Sequence, residues 1–215
     1  MTTLTAEADS LATLVAAGSG NGTQIIDQSL RLIETLVEEP TAYAKIHPLG
    51  FLQVNLSRYE DFLLRLHLWP VPRIAPRPPV WRVHRHGWDL RSYVLCGAAT
   101  NLEYDVLPDP AGGSRVYDVS YDADASTLRR TDRLVKCVQR SEVTYEAPAV
   151  YDVPPESFHT TISEAAAPTA TMVVVGTNKL SQPLVIGDAD GDDSYTLTRD
   201  RIAGESLRRA LRQFL

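Results

Sequence analysis

Apolar residues recur at near-helical spacing only towards the two ends of this chain; between them the pattern switches to the short runs and alternation of β-strands. Residues 5–17 place Leu11, Leu14 and Val15 on one side of a short helix, which the run GSGNG ends. A second helix opens with Thr23 as N-cap, carries Ile25, Ile26, Leu30, Leu32, Ile33 and Leu36 on one face, and stops at Pro40. With one apolar face it is expected to lie against a larger body. From Tyr43 the runs are short and rich in strand formers: GFLQVNLS, DFLLRLHLWP, NLEYDVLPD, SRVYDVSYDA and TATMVVVG, separated by Pro, Gly and Asp turns. In the second of these, Phe62, Leu64, Leu66 and Leu68 alternate with Leu63, Arg65, His67 and Trp69. The alternation leaves open whether the face carrying Arg65 and His67 is solvated or turned inward. The proline-rich VPRIAPRPPV is expected as an extended loop. A last helix from about Arg199 has Ile202, Leu207, Leu211 and Leu215 for packing, with Arg208, Arg209 and Arg212 near its C-terminal end, where the helix dipole favours cations.

So many short strands in succession predict a mainly β sandwich or barrel. At 215 residues the chain fits a single domain, 1–215, with a helical segment over 1–43, strands over 44–176 and a C-terminal extension with a helix over 177–215. A hydrophobic content of 44% and charged content of 22% are those of a water-soluble globular protein. No apolar run approaches the ~18 residues of a membrane span, and the start lacks a basic secretory leader, so a cytoplasmic protein without membrane partners is expected. Cys96 and Cys137 read as reduced thiols. The net charge of −6 argues against nucleic acid, and the arginines at 73–91 and 129–140 read as solvated faces. The acidic run Asp188, Asp190, Asp192 and Asp193 fails as an EF-hand, because Asp193 and Arg199 fall where a glycine and a carboxylate are required.

The candidate chemistry lies in VWRVHRHGWDLRSYVLCG, residues 80–97. Read as one strand bounded by Pro78-Pro79 and Gly97, it projects His84 and His86 to the same face, close enough to grip one metal ion. Trp88 and Leu90 share that parity and are expected to line the pocket, with Asp89 and Tyr93 facing away. A third imidazole, His159, follows the proline turn of VYDVPPESFHTT.

These two stretches resemble the two signature motifs of the cupin superfamily: His-x-His with a later glycine, here His84, His86 and Gly97, and a proline turn before a histidine, here Pro154, Pro155 and His159. The family's glutamate ligand is missing, Leu90 and Arg91 standing where it would fall. A three-histidine set without it resembles the cysteine dioxygenase-like thiol dioxygenases, which also carry N-terminal helices. The resemblance covers residues 44–176. It implies a jelly-roll antiparallel β-barrel, an Fe(II) ion held by His84, His86 and His159, and a small organic substrate oxidised with O2. Arg65, Arg58 or Gln53 would bind the substrate beside Trp88 and Leu90. The family's supporting tyrosine is absent from TATMVVVG, so simple cysteine is not the expected substrate. Imidazoles alone do not choose among iron, nickel, copper, manganese and zinc. A metal-assisted isomerase, lyase or hydrolase, or a non-catalytic ligand-binding cupin, stays open beside the oxygenase, as does a homo-oligomer.

Overall fold

The apolar stripe at 25–36 becomes the buried face of a helix. In the computed structural model, which describes residues 3–16, 22–122, 124–163, 166–178 and 181–215, α1 (Thr3–Ala16) packs against α2 (Gly22–Glu38). All but the last residue of the expected GSGNG break lies outside the described residues. Thr23 sits inside the first turn of α2 and not ahead of it. Ser29, buried among the apolar side chains of α2, donates to the Ile25 carbonyl at 2.7 Å, so its hydroxyl costs little there.

The strands in chain order are β1 (Tyr43–His47), β2 (Phe51–Arg58), β3 (Phe62–Trp69), β4 (His84–Arg85), β5 (Leu90–Cys96), β6 (Ala98–Pro108) and β7 (Ser114–Tyr121). There follow β8 (Ala125–Glu146), β9 (Ala149–Val153), β10 (Phe158–Ile162), β11 (Thr169–Gly176), β12 (Leu184–Asp188), β13 (Ser194–Thr198) and β14 (Arg201–Ala203). They form two seven-stranded sheets, one ordered β14-β1-β2-β3-β11-β5-β9 and the other β13-β8-β6-β10-β4-β12-β7. Every pairing between them is antiparallel. In the second sheet β6 and β7 run successively along β8, so that 98–121 and 125–146 make one long hairpin interrupted near Val135.

The first sheet separates two environments. Its outer face, with Leu64, Leu66 and Leu68 of β3, Leu52 and Val54 of β2, and Met172 of β11, is sealed by α1, α2 and α3 (Gly204–Leu211). Its inner face meets the second sheet, where Leu63, Leu90, Val94, Val173 and Val175 pack with Ala99 of β6. The parity of β3 is thereby settled: Arg65 and His67 point between the sheets. Leu66 is 0% exposed. Leu66→Ala should therefore cost about 2–5 kcal/mol in urea unfolding, while leaving the inner face intact.

Three expectations are corrected. Residues 80–97 are not one strand: β4 belongs to the second sheet and β5 to the first, and the chain crosses between them at 86–89. The crossing is held by Ser181 N–H to the Gly87 carbonyl and Gly176 N–H to the Asp89 carbonyl, links from segments remote in sequence. The chain crosses back at Gly97, whose φ of +69° places it against Thr169 and Pro168, where a Cβ would collide. Nor do the strands end at 176. β12 pairs with both β4 and β7, β13 extends β8 and β14 extends β1, so 177–215 completes both sheets. The last helix begins at Gly204, after the left-handed turn at that residue, and not near Arg199. Much of the arginine surface is ion-paired: Arg91 with Asp152, Arg133 with Asp118 and Arg140 with Glu103. Among the described residues no helix is long and apolar enough to cross a membrane.

Candidate metal centre

His84 and His159 are direct partners across the β4–β10 pairing, and β10 is in turn held by β6. Side chains opposed in this way lie about 5 Å apart on one face. Their ring centroids are 4.5 Å apart, and His86 stands 4.8 Å from His84 and 5.2 Å from His159. One ring nitrogen from each can be chosen so that all three lie within 4.8 Å of one another. His159 is buried, and His84 and His86 are half-buried against a cavity of about 340 Å³ between the sheets.

Hydrogen bonds set the tautomers. Nδ1–H of His84 donates to the Arg82 carbonyl at 2.7 Å, and Nδ1–H of His159 to the Ser157 carbonyl at 3.3 Å. Each is tied to the carbonyl two residues before it, which leaves the Nε2 lone pair free. Metal-bound histidines commonly have such an outer partner. His86 Nδ1 is buried with no hydrogen-bond partner among the described residues, a leftover nitrogen of the kind an ion would satisfy. Burial keeps all three imidazoles neutral: it lowers His84, pushes His86 well below the usual value and pulls His159 down to about 3. Neutral nitrogen donors without a carboxylate fit a borderline divalent cation such as iron, copper, nickel or zinc better than calcium or magnesium. No carboxylate belongs to the group; Asp89 is exposed and lies over Gly176, away from the cavity lining. The acidic turn at 188–193 yields no such cluster among the described residues.

The cavity also collects the other two of the chain's five histidines, His47 and His67. His47 differs in tautomer, since its Nδ1 accepts from Leu49 N–H at 3.2 Å; in the neutral ring Nε2 then carries the proton, so His47 is a donor and not a ligand. Its ring stacks on Phe51 at 4.2 Å, and Phe51 in turn lies 4.8 Å from His67. His67 is pulled down to about 3 by burial and by the Arg65 charge, and its Nε2 is buried without a partner among the described residues.

Gln53, Arg58, Arg65, Trp88 and Leu90, the residues read as substrate contacts, all line this cavity. Gln53 is turned to Asn55, its Nε2 donating at 3.0 Å. Trp88 and Leu90 reach the cavity although they are not in one strand with His86, because the crossing at 86–89 keeps the chain along its wall. Sequence reasoning missed Tyr151, Tyr121, Ser92, Thr161 and Arg199. Two tyrosines line the cavity from other elements: Tyr151 on β9, whose hydroxyl burial pushes up, and Tyr121 at the rim. Inward parity on β9 was the available signal for the first; nothing local marks Arg199.

No family model matches the chain, and no curated protein matches it. Among solved structures it is similar to the polyketide cyclase RemF from Streptomyces resistomycificus, at 13% identity and a TM-score of 0.36, over 71% of this chain and 83% of that one. At that level of likeness no activity carries across.

Proposed function

We propose that the protein is a mononuclear metal-dependent oxygenase, built as a jelly-roll cupin, in which His84, His86 and His159 hold a divalent ion, best Fe(II). The observation that carries this is the convergence of three neutral imidazoles on one cavity wall, two with Nδ1 committed to backbone carbonyls and none accompanied by a carboxylate. When bound, such an ion supplies open coordination positions at which a substrate and O2 can meet.

The chain's own contribution is binding, orientation and exclusion of water. The cavity, about 340 Å³, suits a small organic molecule. Trp88, Leu90 and Val173 give it an apolar wall, and Phe51 and Trp69, on the same inner face, pack beside His67. His47 offers an N–H donor to a polar group of the substrate, and Tyr151 can hold or release a proton from a buried hydroxyl. That same donor is what favours a second reading, a metal-assisted isomerase, lyase or hydrolase, in which the ion acts as a Lewis acid and His47 assists a proton transfer.

Oxygen uptake by the Fe(II)-loaded protein across a panel of small thiols, carboxylic acids and phenols separates these. The oxygenase reading expects uptake that depends on both substrate and iron and is lost in His84→Ala. Turnover of a panel compound without oxygen consumption would replace it by the second reading. A metal-loaded protein that binds panel compounds and turns none over would make it a binding module.

A further inference from the structure

Beside the main cavity lies a smaller recess of different character. This side lobe, of about 70 Å³, shares His47, His84, His86, Tyr121 and Arg199 with the main cavity. Its own wall comes largely from the inner face of the second sheet, where Val119, Leu128, Val185 and Leu197 stand with the Trp81 ring. The pairing registers set these side chains in rows. Ser126 of β8 lies between Tyr121 of β7 and Leu197 of β13, and one row along Leu128 lies between Val119 and Tyr195. Ser126 is the smallest of the six, so the wall is recessed where it stands.

Ser126 is also the polar exception in that wall. It is 4% exposed, and its Oγ is buried with no hydrogen-bond partner among the described residues. A hydroxyl taken out of water and left unpaired destabilises a fold, and an alanine would occupy the same place without that cost. The cations around the lobe are already engaged: Arg85 donates to the Gln182 carbonyl at 3.4 Å and lies over the Phe158 ring, and Arg199 feels the opposite charge of Asp124. No acidic side chain lines the lobe among the described residues. One hydroxyl does not replace the hydration shell of an ion, so the group that satisfies Ser126 is uncharged. An apolar cavity of about 150 Å³ holds benzene; the lobe, at about half that volume, takes an arm of about three or four non-hydrogen atoms.

We propose that the lobe is the subsite for a short apolar arm of the substrate that ends in an uncharged oxygen, a hydroxyl or a carbonyl, and that Ser126 is the residue that selects it. The hydroxyl of Ser126 can donate to a carbonyl and can also accept from a hydroxyl, whereas a methyl group in the same place leaves it unpaired. This rests on the reading of the cavity as the active site and names a specificity-determining residue for it. Ser126 enters from β8, an element that supplies none of the five histidines.

The test uses the metal-free full chain, so that it stands apart from whether a metal binds or oxygen is consumed. Isobutanol, its methyl-for-hydroxyl counterpart isopentane, and the charged isobutyrate and isobutylammonium are titrated while the backbone amide NMR shifts of Ser126, Leu128 and Leu197 are followed. Isobutanol should shift these amides saturably. Ser126→Ala should weaken isobutanol about 5-fold or more, the loss of one hydrogen bond, and leave isopentane bound as well as before or better. Ser126→Leu, which fills the recess, should weaken both about 10-fold or more. Equal loss of isobutanol and isopentane in Ser126→Ala, no saturable shift with isobutanol, or tighter binding of either charged compound would overturn the proposal. The melting temperature of the ligand-free Ser126→Ala protein separates a binding role from a structural one. It should be no lower than that of the wild type, because the hydroxyl removed has no partner in the fold; a fall would show that the hydroxyl is spent within the fold and would overturn its role in the subsite.

Discussion

Replacing His159 with alanine should weaken metal binding by more than about 100-fold, beyond the 10- to 100-fold that loss of an outer hydrogen-bond partner brings. His84→Ala and His86→Ala should behave alike, since two imidazoles no longer make a facial set. His47→Ala and His67→Ala are the internal controls, although they line the same cavity. The contrast with His47 follows from tautomer: its Nδ1 is occupied by Leu49 N–H, whereas His159 and His84 direct Nδ1–H to backbone carbonyls and keep Nε2 free. Metal content after dialysis against a buffered metal solution, with circular dichroism to verify folding, checks the series. Equal occupancy in His159→Ala and wild type would remove the site.

The second large effect is acid sensitivity. All five histidines have values lowered from the ordinary 6.5 by burial. The unfolded chain therefore binds more protons than the folded one at any pH below about 6.5, and stability falls as pH falls. Above that pH neither state is protonated at these sites and they add no pH dependence; the loss continues down to the folded values, about 3 for His67 and His159. For His159, 2% exposed, protonation of the unfolded state at pH 4.5 amounts to on the order of 2–3 kcal/mol. Urea unfolding of the metal-free protein at pH 7.5 and 4.5 should show at least that loss, reduced in His159→Ala. A flat profile between these values would show that the imidazoles are solvated.

Most of the secondary structure was legible because it is local. The spacing from Ile25 to Leu36 marks the buried face of α2, and the alternation Leu64, Leu66, Leu68 marks a strand with one covered side. The histidine set was legible from two local devices: His-x-His, and a proline turn before His159. What escaped depends on pairing between segments far apart. β4 is a strand only because β10 and β12 flank it, so neither its shortness nor the crossing after it shows in residues 80–97. The inward turn of Arg65 and His67 depends on α1 and α2 covering the other face of β3. Arg199 reaches the cavity because β13 and β14 extend sheets begun much earlier in the chain, and its neighbours in sequence suggest only the start of a helix.

The central claim, an ion held by three imidazoles, is tested most directly by X-ray absorption on the metal-loaded protein. The account predicts about one ion per chain, a shell containing three imidazole nitrogens at about 2.0–2.2 Å, and loss of one imidazole from that shell in any His159→Ala protein that retains metal. A wild-type protein that retains no stoichiometric metal, or whose shell lacks imidazole, would contradict it.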